Sequence, residues 1–321
     1  MRRSFGAYFF LAILVVAAAG AGVLWLRHAM RLPGPLPTAT DFVVPREGLD
    51  TLSRTLAAAH IVADPLVFRW GERLTRSEGP IHAAEFAFPA GASVDEVLRI
   101  LRTAKPVLHR VTVPEGLTAI EIAGILADAE AASGPVPHLD EGEFFPDTYE
   151  FVRGVPRAGL VALARTRMQR ILTEEWQDRD PGLPLTSPEQ ALTLASMVER
   201  ETALPAERPL VASVFLNRLR LGMKLESDPT VIFGASNGVG KLDRPISRAD
   251  LETPTPYNTY LIAGLPPGPI GSPGRAAIHA VLHPAPSEYL YFVANGSGGH
   301  NFSATLAEHL VNVAKWRKLG H

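Results

Sequence analysis

The sequence predicts an α+β fold carried behind one N-terminal membrane-spanning helix. Three observations predict it. The run from Phe5 to Leu26 carries no charge; a strand–turn–helix opening recurs three times in the first half of the chain; and the second half mixes amphipathic helices with short strands in no regular alternation. The last point argues against a wound parallel sheet, which needs strands and helices to alternate. The composition agrees: 321 residues leave room for about two domains, and 46% hydrophobic with 20% charged residues is globular rather than disordered.

The uncharged run is 22 residues long. As a helix it would extend about 33 Å, enough to cross a hydrocarbon core of about 30 Å. A cleaved signal sequence has a shorter apolar region, of roughly 7–15 residues, so the length favours a retained anchor. Basic residues flank both ends, Arg2 and Arg3 before and Arg27, His28 and Arg31 after, and charge alone leaves the orientation nearly balanced.

Several chemistries are excluded. The formal net charge is −2, which offers no case for nucleic-acid binding. There is no cysteine, hence no disulfide, thiolate nucleophile or cysteine-ligated zinc. Only five of the 31 basic residues are lysines, so Schiff-base candidates are few.

After the anchor, Arg31 to Thr40 holds three alternating prolines and reads as an extended spacer. The recurring openings begin at Val44-Pro45, Phe88-Pro89 and Val113-Pro114. Each is an extended residue, a Pro/Gly turn and a helix start. Ser93 with Glu96, and Thr118 with Glu121, have capping-box spacing. The first unit resembles a LysM module through Gly48-Leu49-Asp50-Thr51-Leu52, with Leu49 an insertion in the strict pattern. The resemblance implies a glycan-binding module over 41–106.

From 107 onward the periodicity predicts helices over Ala158–Trp176, from Ser187 to beyond Glu201, over Ala206–Leu221 and over Thr305–Lys318, with a strand at Tyr289–Ala294. Ser187-Pro188-Glu189-Gln190 is a strong helix opening. At 100° per residue, Glu199 and Glu201 fall on opposite flanks of the apolar arc of their helix, about 160° apart, so they cannot share a cleft. A carboxyl in apolar surroundings has a raised pKa, as a general acid near neutral pH requires; an ion pair with Arg200, Arg208 or Arg218 is the competing reading. Arg218 lies on an apolar helix face and must be paired, to Asp228, Glu199 or a ligand. His279 and His283 are four apart, but Pro284 follows at once and no third ligand is evident, so no metal site is expected. No nucleophile elbow or phosphate loop is present.

Longer motifs then accumulate in order: Leu194 to Thr202 (LASMVERET), Val211 to Leu219 (VASVFLNRL), Ser227-Asp228-Pro229-Thr230, Phe145-Pro146-Asp147-Thr148-Tyr149, Tyr257-Asn258-Thr259-Tyr260, Gly264 to Gly268 (GLPPG) and Gly299-His300-Asn301-Phe302. Together they closely resemble the endolytic murein transglycosylase family MltG (YceG-like) from about 110 to 318. The resemblance implies a fold of an N-terminal transmembrane helix, a small LysM-like α+β module and a larger mixed α+β catalytic domain. The expected boundaries are a cytoplasmic tail 1–4, helix 5–26, Pro-rich linker 27–40, LysM-like module 41–106 and catalytic domain 107–321.

It further implies a single-pass inner-membrane enzyme with its catalytic part on the periplasmic side. Such an enzyme cleaves the MurNAc–GlcNAc bond within nascent peptidoglycan strands and leaves 1,6-anhydro ends, without metal or cofactor. Glu201 matches the family's catalytic acid, which then serves as base. Glu226, where the family commonly has Gln, is a candidate substrate contact together with Asp228, Tyr257, Asn258, His300 and Arg218. Penicillin-binding proteins and other cell-wall synthesis or division proteins are the implied partners. The alternatives are a non-catalytic peptidoglycan-binding scaffold and a muramidase-type hydrolase in which Glu226 or Asp228 assists a water.

Overall fold

The computed structural model describes residues 2–318. Met1 of the expected tail and residues 319–321 of the expected last domain lie outside the described residues. In chain order the elements are α1 (Arg2–Arg31), β1 (Thr40–Val43), α2 (Leu49–Ala58), α3 (Pro65–Leu74), β2 (Glu85–Phe88), α4 (Val94–Thr103), β3 (Leu108–Thr112), α5 (Ala119–Ala127), β4 (Thr148–Val152) and α6 (Arg157–Gln177). There follow α7 (Pro188–Glu201), α8 (Arg208–Arg220), α9 (Asp228–Ala235), α10 (Arg248–Glu252), α11 (Arg275–Leu282), β5 (Tyr291–Ala294), β6 (His300–Ser303) and α12 (Leu306–Arg317). The strands pair only two by two among the described residues: β1 with β2, β3 with β4, β5 with β6. This is a mixed α/β chain with an apolar N-terminal helix.

The chain divides into two compact units. The first runs up to His109 and includes Phe151–Arg153. Within it, Tyr8–Arg31 of α1 is long and apolar enough to cross a membrane, and its most apolar stretch is not buried in the protein. β1 and β2 pair antiparallel, Thr40 opposite Phe88 and Val43 opposite Glu85, with α2 and α3 between them in sequence. Ser93 caps its helix as its spacing predicts, accepting from Glu96 N at 3.3 Å, and Asp64 caps another, accepting from Leu66 N at 2.7 Å ahead of Pro65. Phe68, Phe86, Phe88, Leu56, Leu98 and Leu101 form the core.

The segment read as an extended Pro-rich spacer is packed into this unit. Met30 and Leu36 belong to its core, Gly34 N–H donates to Gly91 O at 3.0 Å, and Gly91 N–H donates to Leu36 O at 2.8 Å. Proline stiffness was legible in the sequence, but the apolar Met30 ahead of the prolines and Leu36 between them drive burial. Met30 reaches α3 at Gly71, where a Cβ would stand 2.8 Å from the Met30 methyl carbon. Met30→Ala is therefore expected to cost about 2–4 kcal/mol. Chemical denaturation of the full chain in detergent checks this, with a lower midpoint expected.

The second unit comprises Arg110–Glu150 and the chain from Gly154 onward. Thr118 and Glu121 close the predicted capping box of α5. α7 is its central helix: Ala191, Leu194, Ala195, Met197 and Val198 have no exposed surface. α6, α8, α9 and α11 pack on it. A helix enclosed on so many sides can present polar groups only at its end, and there Glu199, Arg200 and Glu201 leave in three directions. β6, which the periodicity did not predict, pairs antiparallel with β5, Ala294 opposite His300.

Candidate active site

The three charged residues at the end of α7 have separate fates. Glu199 pairs with Arg208 at 2.6 Å and accepts from Gly274 N at 3.0 Å. Arg200 donates to the carbonyls of Gly116, Gly240 and Ile270. Glu201 turns the other way, into a cavity of about 440 Å³. The divergence predicted from helical geometry is thus realised, and the competing reading of Glu201 as an arginine partner is not: its hydrogen bond comes from Ser227 Oγ, 3.0 Å from Oε2.

Burial pushes the Glu201 carboxyl up to about 7; the Ser227 hydrogen bond opposes this and the charge of Asp228 adds to it. A raised carboxyl is not by itself a site. Glu141 is also held at about 7, chiefly by burial. Both Glu141 oxygens, however, face Ala119 N at the start of α5, at 3.0 and 3.1 Å. Glu201 alone of the two lines the cavity.

Ser227 is positioned by a buried hydroxyl network. Its N–H donates to Thr259 Oγ1 at 3.0 Å, Thr230 and Thr259 hydroxyls lie 2.8 Å apart, and Thr230 Oγ1 donates to Ser227 O at 2.7 Å. The chain reaches this position through Glu226, which adopts φ +52°, a left-handed conformation uncommon for a side-chain-bearing residue. Two contacts hold it there: Glu226 N–H donates to Thr259 O at 3.2 Å, and its Oε2 meets Arg218 Nη1 at 2.9 Å.

Arg218 is therefore paired, as its apolar setting requires, but with Glu226 rather than Asp228 or Glu199. Its guanidinium also donates to Leu290 O at 2.6 Å, Lys224 O at 3.0 Å and Leu225 O at 3.1 Å. Sequence reasoning passed over Glu226 as its partner because the turn that brings it back is non-local in effect. Asp228 opens α9 and accepts from Tyr260 OH at 2.7 Å. Burial first, then this carboxylate, raises the Tyr260 hydroxyl pKa, so the phenol stays protonated.

Glu201, Arg218, Glu226, Asp228 and His300 all line the one cavity. His300 Nδ1 lies 2.7 Å from Glu207 Oε2, and its backbone N–H donates to Glu207 Oε1 at 2.8 Å. Thr202 Oγ1 also donates to Glu207, at 3.2 Å, which ties the end of α7 to β6. Gly299 is needed here: a Cβ would stand 2.5 Å from Glu207 Oε1.

Two candidates are not brought in. Asn258 has no exposed surface; its amide donates to the carbonyls of Asp250, Leu251 and Thr253 and its oxygen accepts from Tyr260 N. It braces the loop and offers no free group to a ligand. Tyr257 packs edge-on against Phe233, ring centroids 4.7 Å apart, outside the cavity lining. The same four-residue motif supplies the site through Thr259 and Tyr260 instead, since residues two apart in a turn face different ways. Phe292, His309 and Trp316 complete the cavity walls and were not singled out in the sequence. Their signal was a strand and a helix that each read as ordinary packing.

A family model described as the YceG-like family matches residues 42–315. The chain belongs to the YceG-like family. This membership agrees with the ordered motifs, which the fold gathers around α7. Among relatives of this YceG-like chain, a Bacillus subtilis protein named endolytic murein transglycosylase is 38% identical over 181 residues, covering 56% of this chain and 48% of that protein. A Streptococcus pneumoniae protein of the same name is 28% identical, covering 82% of this chain and 56% of its own. The chain thus spans about half the length of these relatives. A crystal structure of a YceG-like protein from Listeria monocytogenes superposes with a TM-score of 0.53 at 25% identity, covering 86% of this chain and 99% of that one.

Proposed function

We propose that this YceG-like chain is a membrane-anchored lytic transglycosylase that cuts peptidoglycan strands internally, with Glu201 as acid and then base. The observation that carries the reading is the state of the carboxyls in the cavity. Glu201 is held protonated close to neutrality. Asp228 is engaged by Tyr260, and Glu226 by Arg218. Glu201 remains as the protonated acid, its hydrogen bond coming from Ser227 Oγ. A two-carboxylate hydrolase needs a second group to activate water or attack carbon. A lytic transglycosylase needs none, because the C6 hydroxyl of the MurNAc residue is the nucleophile and is already tethered, and intramolecular attack of this kind carries a high effective concentration.

In this mechanism Glu201 gives its proton to the bridging oxygen as the C1–O bond breaks. The resulting carboxylate takes the C6 hydroxyl proton as that oxygen closes on C1. The product ends in a 1,6-anhydro sugar. Mass analysis of digested peptidoglycan tests this: anhydro ends are expected, and ends heavier by one water would instead identify a hydrolase.

The pH dependence follows from the same group. Activity is expected to fall as pH rises through about 7, where Glu201 loses its proton. Asp228→Asn removes a negative charge that disfavours the ionised form, so the falling limb is expected to move to lower pH. A rate profile of the two proteins checks the direction.

The first unit supports the LysM-like reading through its strand–helix–helix–strand order and antiparallel β1–β2 pairing. A cavity of about 300 Å³ lies there between the segment from Pro45 to Leu52 and the segment from Arg76 to Ala83. Glu72 lines it, 8% exposed, with Oε2 buried and unpartnered. With α1 as anchor, the chain that follows it stands on the extracytoplasmic side, where the glycan is.

A further inference from the structure

His279 lies on α11 and His283 is the residue just past its C-terminal end; their ring centroids lie 4.3 Å apart. α6 packs against α11 and delivers Glu175, 5% exposed, to the same place. Its Oε1 accepts from Arg275 Nε at 2.6 Å, and its Oε2 lies 2.8 Å from His279 Nδ1. One donor atom from each of Glu175, His279 and His283 falls within 4.8 Å of the other two. The sequence had left the histidine pair without a third ligand because Glu175 is distant in the chain.

His283 adds an independent observation. Its Nδ1 lies 3.0 Å from Asp180 Oδ1. An ionised carboxylate only accepts, so Nδ1 carries a proton, and in the neutral imidazole Nε2 presents a lone pair. That nitrogen is buried and has no hydrogen-bond partner. Leaving it so is costly unless something electrophilic occupies the position. A carboxylate holding one ring nitrogen while the other faces outward is how proteins orient a metal-ligating histidine. Asp178, well exposed, has Oδ2 3.8 Å from the same Nε2.

We propose that Glu175, His279 and His283 bind one divalent transition-metal ion, zinc by preference, with Asp178 or water completing four-coordination. Two imidazole nitrogens and one carboxylate oxygen suit zinc, whereas calcium and magnesium seek oxygen alone. Ligand bonds of about 2.0–2.2 Å in a tetrahedron place donor atoms roughly 3.4 Å apart. The Glu175–His279 pair must therefore open by about half an ångström, which the half-exposed His279 side chain can supply, and His279 Nδ1 must release to solvent the proton it donates to Glu175 in the metal-free chain. None of the three residues lines the Glu201 cavity. The ion is a clip between α6 and α11, both of which pack on α7. The proposal does not depend on the transglycosylase reading.

The test uses the full chain without an affinity tag, in detergent, stripped with a chelator and titrated with zinc chloride by calorimetry. One equivalent is expected to bind and to raise the melting temperature, reversibly on adding chelator. His279→Gln and His283→Gln are each expected to weaken binding by roughly tenfold or more and to lose the thermal gain. His138→Gln, at an exposed histidine elsewhere, is expected to titrate as wild type. Absence of a stoichiometric binding event in wild type, or identical titrations of wild type and the His279 and His283 variants, would overturn the site.

Discussion

Glu201→Gln is expected to leave the chain folded and to lower peptidoglycan cleavage by about 10³-fold, the scale of a lost general acid. The amide matches the carboxyl in shape, and its oxygen can still accept from Ser227 Oγ. The variant also has a signature in stability. A carboxyl whose pKa is raised in the folded state contributes stability below the ordinary carboxylate range and loses it as pH rises through the folded value. For wild type that loss runs from about 4.5 up through about 7. The Gln variant has no such titration, so its melting temperature is expected to decline less across that window. Cleavage and melting curves of the two proteins measure both effects. Full cleavage by the variant would remove Glu201 from the mechanism, whatever the melting curves show.

Arg218→Ala is expected to cost about 3 kcal/mol and to disorder the wall of the cavity it lines. The arginine is 7% exposed and holds three backbone carbonyls besides Glu226. The Glu226 side chain is 45% exposed, so water can take over that partner, and the carbonyls carry most of the loss. They belong to the turn before Ser227 and to the segment leading into β5, so their release loosens the donor that Glu201 depends on. Denaturant unfolding gives the stability term. A fall in cleavage larger than the unfolded fraction explains would mark the positioning role, and an unchanged unfolding midpoint would show that the guanidinium does not brace this turn.

Much of the architecture was readable from local patterns. Ser187-Pro188 starts α7, Thr118 and Glu121 cap α5, and the apolar arc of α7 separates Glu199 from Glu201. Each of these depends on residues within about one helical turn, and helical rotation and capping act at that range. The ordered motifs likewise pointed to the YceG-like family, because a family pattern is linear information.

What required the folded chain is of another kind. Glu226 closes on Arg218 through a left-handed turn; Asn258 goes inward while Tyr260 reaches Asp228; Met30 and Leu36 bury a segment that reads as a spacer; and Glu175 meets His279 and His283 across two helices. In these cases the partner, or the burial that decides the outcome, is set by how separate elements pack. A side chain's chemistry is written at its own position, but whether it meets solvent, substrate or another charge is decided by residues that only packing brings near.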